Sequence, residues 1–145
     1  MKRVIITGVS GFIGQALASC LLGRGTEVWG VCAHPEKLGD LRRHPQLHLL
    51  HLDFQDYSIL GQRIGQHGFD AFFHFAWQGY GTASDDCSVQ TANITYAYEA
   101  ACAAAACGCE KFIFADSSHE YLKSIDAQGN TGFCSVYGAA KRSAR

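Results

Sequence analysis

The sequence is poor in charge, and the few charges it has nearly cancel. Only 17% of its 145 residues are charged, and 12 basic against 13 acidic side chains leave a formal net charge of −1. That balance argues against a surface built to hold nucleic acid or an anionic membrane. With 48% hydrophobic residues beside so few charges, general disorder is excluded and a core is expected. No apolar run approaches the ~18 residues of a bilayer-spanning helix, so no membrane partner is expected. An export signal is lacking too: Val4-Ile5-Ile6 is too short for an h-region, and Gly8 and Gly11 follow at once. Seven cysteines, an odd number without that signal, point to reduced thiols and a cytoplasmic location rather than a disulfide framework. Cys107-Gly108-Cys109 is the only close pair and lacks a second Cys/His pair at zinc spacing, so no metal is expected. His48 and His51, three apart in an expected strand, point to opposite faces and cannot share a metal. Cys20, Cys102 and Cys107 read as small apolar residues on helix faces. Repeats, low-complexity tracts and linkers are absent, which leaves one domain or part of one.

What is present is an alternation of two periodicities. Lys2 to Thr7 is a short β-branched apolar run, the pattern of a buried strand. After Gly8 to Gly14 comes a helix whose Phe12, Ile13, Ala16, Leu17, Cys20 and Leu21 fall on one face, stopped by Gly23 and Gly25. Glu27 to Ala33 reads as a second strand, Pro35 to about Arg43 as a short helix, and Leu47 to Leu52 as a third strand. Asp56 is the expected N-cap of a weak helix carrying Ile59, Leu60 and Ile64. Ala71 to Ala76 is a fourth strand, followed by a polar loop over Gln78 to Asp86. The Ala-rich stretch from about Val89 to Cys107 is a helix ended by Gly108, and Lys111 to Ala115 a fifth strand. A loop with Gly129, Asn130 and Gly132 precedes a last helix from about Ser135. Such alternation implies α/β: a doubly wound parallel sheet with helices on both faces.

Thr7-Gly8-Val9-Ser10-Gly11-Phe12-Ile13-Gly14 joins the first strand to the first helix with glycines spaced G-x-x-G-x-x-G. Gly8 allows a tight turn, Gly11 lets backbone approach a pyrophosphate, and Gly14 lets helix and strand pack closely. The N–H groups at the helix start then face the anion, so no basic patch is required. The spacing differs from the dinucleotide G-x-G-x-x-G and resembles the extended short-chain dehydrogenase/reductases, the NAD(P)-dependent sugar epimerase/dehydratase family. Further segments match in that family's order: Leu52-Asp53-Phe54, His74-Phe75-Ala76, Asn93 opening the long helix, Lys111 to Ser118, and Tyr137-x-x-x-Lys141.

The resemblance covers the whole chain and carries a set of roles. It implies a Rossmann-like sheet of five strands in order 3-2-1-4-5, residues 1–145 forming an NAD(P)-binding domain. Thr7, Gly8, Ser10, Gly11, Phe12, Ile13 and Gly14 would line the cofactor, with Asp53 beside the adenine next to Phe54, and His74, Ala76 and Asn93 along its path. Ser117, Tyr137 and Lys141 would be catalytic, the last two also touching the nicotinamide ribose side. Their chemistry is coherent. A phenol, with an ordinary pKa of ~10, is a poor base at neutral pH. A cation ~5 Å away at an effective dielectric of ~20 is worth about 3 kcal/mol, roughly two pKa units, which makes such a phenol a usable acid/base. Residues four apart on a helix share a face, as that coupling requires.

The sequence departs from the family at several points. Strand two ends in Cys32-Ala33-His34, with no carboxylate for the ribose hydroxyls of NAD, which leans the expectation from NAD toward NADP. Asp116 precedes Ser117 where a small residue is usual, and Tyr96-Ala97 replaces a Gly-Thr pair. The Tyr96, Tyr98 and Ala101 stripe reads as packing, and the family's dimer helices imply a homodimer for a full-length form. The chain stops four residues after Lys141, where relatives continue into a substrate domain, so it is expected to be the incomplete, inactive cofactor portion. Three functions stay open: part of a nucleotide-sugar epimerase, dehydratase or reductase; a non-catalytic dinucleotide module; or a reductase of another small carbonyl substrate.

Overall fold

The computed structural model describes residues 1–81, 83, 85–118 and 135–145. The expected loop glycines Gly129 and Gly132, with Asn130, lie outside these. In chain order the elements are β1 (Arg3–Thr7), α1 (Phe12–Leu22), β2 (Glu27–Cys32), a 3₁₀ segment (Pro35–Arg43), β3 (Leu47–His51), a second 3₁₀ segment (Phe54–Ile59), α2 (Leu60–Ile64), β4 (Ala71–His74), α3 (Cys87–Ala106), β5 (Phe112–Phe114) and α4 (Val136–Ala144).

All five strands run parallel in the order β3-β2-β1-β4-β5, the expected arrangement. β1 is central because its Val4, Ile5 and Ile6 are wholly buried and suit a strand covered on both faces. Alternation then divides the side chains. Val4, Ile6, Val28, Leu47 and Ala71 pack with Val9 and with Ala18, Leu21 and Leu22 of α1 into one core. Ile5, Thr7, Phe72 and His74 fall on the opposite face, where Gly61 of α2 lets Ala103 and Ala106 of α3 come close: a methyl there would lie 3.3 Å from the Ala106 Cβ.

Several local expectations are corrected. The buried face of α1 is Gly14, Ala18, Leu21 and Leu22, whereas Phe12 is 93% and Ile13 56% exposed, and Cys20 and Cys102 are exposed as well. The backbone contact made by Gly14 sets the rotation of the helix and turns its first apolar residues outward. The segment after β3 is capped by Asp53, whose carboxylate accepts the Phe54 N–H at 2.7 Å, and not by Asp56. The chain turns as soon as β3 ends, so the first available carboxylate takes the cap. The Pro35–Arg43 segment is interrupted by a non-helical Gly39, and Tyr98 of α3 is 69% exposed. Among the described residues no group of three His, Cys, Asp or Glu could hold a metal, and no helix is long and apolar enough to cross a membrane.

The residues form two compact units, Met1–Ala76 with Glu99–Ala115, and Trp77–Tyr98 with Asp116–Arg145. The first holds the sheet and the glycine loop; the second holds the loop after β4, the start of α3, and α4.

Candidate functional site

In the first unit the sheet order reverses between β1 and β4, and doubly wound sheets bind ligands beyond the carboxyl ends of strands at such a point. The glycine loop leaves β1 there. Gly8 has φ +69°, and a Cβ on it would lie 2.7 Å from the Ala76 nitrogen. A Cβ on Gly14 would lie 2.2 Å from the Gly8 carbonyl oxygen. The Gly8 and Gly11 N–H groups donate to the Val31 and Gly8 carbonyls at 2.9 Å, closing the turn. Gly11 is the N-cap of α1 and offers no side chain, and the first helical turn holds no acid. The first-turn N–H groups therefore have no side-chain cap, and the helix dipole adds partial positive charge. A loop with no room for a Cβ at Gly8 or Gly14, ending in a helix start without a side-chain cap, suits a diphosphate.

Around this loop, Ser10 hydrogen-bonds the Cys32 thiol at the end of β2, while burial pushes that thiol up from its ordinary range. Asp53 is exposed at the end of β3, and Phe54 stacks on Tyr57 at 5.5 Å between ring centres. Thr7 and His74 share a 2.7 Å hydrogen bond between Oγ1 and Nδ1, with both residues buried. The Tyr57 hydroxyl also bonds Thr7, and burial holds this phenol well above its ordinary value of 10.0. Three side chains from β1, β4 and the second 3₁₀ segment are thus tied together under the carboxyl edge. Ala76 is buried and lies against Gly8.

In the second unit, Ser135 caps α4 by accepting the Gly138 N–H at 3.1 Å. One turn later stand Tyr137 and Lys141, 7% and 4% exposed. The Lys141 Nζ lies 6.0 Å from the Tyr137 ring centre and 3.8 Å from that of Trp77. Trp77 meets Tyr137 edge-on, at 5.9 Å and 85°. The exposed Tyr80 lies 5.5 Å from the same phenol. Asn93, 1% exposed, uses both ends of its amide on one residue, accepting the Gln78 N–H and donating to the Gln78 carbonyl, each at 2.9 Å. Ser117 follows β5 and donates its N–H to the Asp116 carboxylate at 2.7 Å, and that carboxylate pairs with Arg145 at 3.6 Å. The unusual Asp116 thus anchors the backbone of Ser117.

Residues 4–145 match the model of the NAD dependent epimerase/dehydratase family. The chain belongs to this family. A UDP-galactose 4-epimerase structure is 28% identical, with TM-score 0.76, over 98% of this chain and 48% of its own. The UDP-N-acetylglucosamine 4-epimerase of Methanobrevibacter ruminantium M1 matches at 24% identity and TM-score 0.75, covering 99% of this chain and 48% of that one. A 3 beta-hydroxysteroid dehydrogenase/Delta 5→4-isomerase of Mycobacterium tuberculosis is 36% identical over 76 residues, 52% of this chain and 19% of that protein. The chain therefore spans about half the length of these epimerase structures and about a fifth of the mycobacterial protein.

The glycine loop, Leu52-Asp53-Phe54 and His74-Phe75-Ala76 lie at the carboxyl ends of β1, β3 and β4, whereas Asn93 stands in α3 and Tyr137 and Lys141 in α4. Sequence reasoning missed Trp77, Gln90 and Tyr57. None belongs to a spaced motif. Only the position of Trp77, directly after His74-Phe75-Ala76 at the end of β4, could have drawn attention to it.

Proposed function

We propose that this chain binds a nicotinamide dinucleotide at the carboxyl edge of its sheet and forms the cofactor portion of an enzyme acting at a sugar carbon of a nucleotide-sugar. The observation that carries this reading is the glycine loop, where Gly8 and Gly14 have no space for a Cβ and α1 begins without a side-chain cap. The first-turn N–H groups of α1 would hold the diphosphate, exposed Phe12 and Ile13 would flank it, and the free oxygen of Asp53 would face the adenine side. When bound, the nicotinamide supplies or accepts the hydride. Tyr137 gives or takes the proton at the reacting oxygen, Ser117 hydrogen-bonds that oxygen, and Lys141 holds positive charge beside the phenol and bonds the ribose. The epimerase structures, of UDP-galactose and UDP-N-acetylglucosamine enzymes by name, favour the nucleotide-sugar substrate. A cytoplasmic setting and self-association through α3 and α4 complete the reading. The absence of a carboxylate in Cys32-Ala33-His34, where β2 ends, favours NADP, which competitive titration against NAD tests. A second reading, chemistry at a non-sugar carbonyl, is favoured by the mycobacterial hydroxysteroid dehydrogenase match.

Calorimetric titration of the chain with NAD and NADP, paired with a turnover assay on UDP-sugars, tests the proposal. Tyr137→Phe is expected to abolish turnover, a loss of at least ~100-fold for a general acid/base, with dinucleotide affinity nearly unchanged. Retained turnover overturns the role of Tyr137; binding without turnover in the native chain favours a non-catalytic module.

A further inference from the structure

We infer that Trp77 is a positioning residue for the Tyr137–Lys141 pair: its indole face holds the Lys141 ammonium in place for the dinucleotide. This rests on the dinucleotide reading above. Lys141 is 4% exposed, so its ammonium has given up most of its hydration and needs a compensating attraction. The Trp77 ring provides one, with Nζ 3.8 Å from its centre, inside the range where the negative face of an indole attracts a cation.

The indole is itself held. Its Nε1–H donates to Gln90 Oε1 at 2.9 Å. Gln90 is fully buried, and its amide nitrogen donates to the Ala83 carbonyl at 2.9 Å. That second bond fixes which end of the amide faces Trp77, because a flipped amide would set donor against donor and acceptor against acceptor. Trp77 also contacts the Tyr137 ring edge-on, so one clamped side chain touches both members of the pair.

An aromatic face suits this task better than a carboxylate. A carboxylate would hold the lysine equally well but would cancel its charge, and with it the field at the neighbouring phenol. The indole attracts the ammonium without itself neutralising the unit charge.

Replacing Trp77 by a series of tryptophans of increasing ring fluorination drains the negative ring face while nearly preserving shape, and Trp77→Phe and Trp77→Leu bracket the series. Two quantities are measured: NAD affinity by calorimetry, and the NMR shift of the Lys141 ε-methylene in the free protein. Ring current is expected to move that methylene upfield in the native chain, with the shift lost in Trp77→Leu. Affinity is expected to fall stepwise with fluorination, by about tenfold in all, with Trp77→Phe retaining most of it. Equal or tighter binding across the fluorinated series overturns the inference, as does an unshifted methylene in the native chain. A native chain that binds neither NAD nor NADP overturns the dinucleotide reading and this inference with it, an outcome distinct from undiminished binding after fluorination. Should Trp77→Leu misfold, the near-isosteric fluorinated series still decides.

Discussion

At the end of β1 an added methyl on Gly14 would lie 2.2 Å from a carbonyl oxygen, while around Tyr137 the space is taken by the side chains of Trp77, Tyr80 and Lys141. The two regions reach specific geometry by opposite means. The glycine loop is shaped by backbone, and the groups proposed to bind the dinucleotide there are main-chain N–H donors; at Gly8 and Gly14 a Cβ has no space. The Tyr137 region is shaped by side chains from α3, α4 and the loop after β4. Polar side chains there are held by named partners: Asn93 by Gln78, and Gln90 by Trp77, Ala83 and Gln78. Addition of atoms should therefore damage the first region, and removal of polar atoms the second.

Gly14→Ala is the strongest way to break that contrast. Helix propensity alone favours alanine by about 1 kcal/mol, yet the methyl must displace backbone, and the expected outcome is a net loss of about 3 kcal/mol in urea unfolding with loss of dinucleotide binding. An unchanged or raised unfolding midpoint would show that side chains can be admitted to the loop. Asn93→Leu keeps the volume in the second region but leaves the Gln78 N–H without its partner and the Gln78 carbonyl with only the 3.5 Å bond from Gln90, at an expected cost of about 2 kcal/mol. A neutral result by the same measurement would mean that volume, not polar matching, holds the loop after β4.

The smallest effect sharpens the comparison at its exception, the Tyr57–Thr7–His74 chain beneath the backbone-built edge. Burial raises Tyr57 above its ordinary 10.0, so the native state keeps the phenol proton to higher pH than the unfolded chain does. That stabilisation is complete below about pH 10 and is lost as pH climbs toward the native value, with a slope of about 1.4 kcal/mol per pH unit. In Tyr57→Phe, stability at pH 7 should fall by only about 1 kcal/mol through the lost bond to Thr7, and the alkaline slope should flatten. Unfolding curves between pH 8 and 11 check both signs.

What could be read in advance divides along the same line. The α/β alternation, the glycine loop and the shared face of Tyr137 and Lys141 are legible, because each depends on periodicity or backbone sterics within a few neighbouring residues, whereas the strand order follows from the family resemblance. The rotation of α1 is not legible. Phe12, Ile13, Ala16, Leu17, Cys20 and Leu21 form a plausible apolar stripe, yet Gly14 and Ala18 lie inward because the helix must pass within contact of Gly8. That Asp53, and not Asp56, takes the cap is not legible, because nothing local marks how soon the chain turns after β3.

By itself, then, the sequence determined the α/β alternation and the glycine-spaced loop between β1 and α1, since hydrophobic period and glycine placement act over short stretches of chain. Tertiary structure alone decided that Trp77, far from α4 in sequence, lies under the Lys141 ammonium, and that Gln90 holds it there. No propensity encodes such a contact. It exists because folding brings a buried charge, an aromatic face and an oriented amide to one place, where each satisfies a group that water can no longer reach.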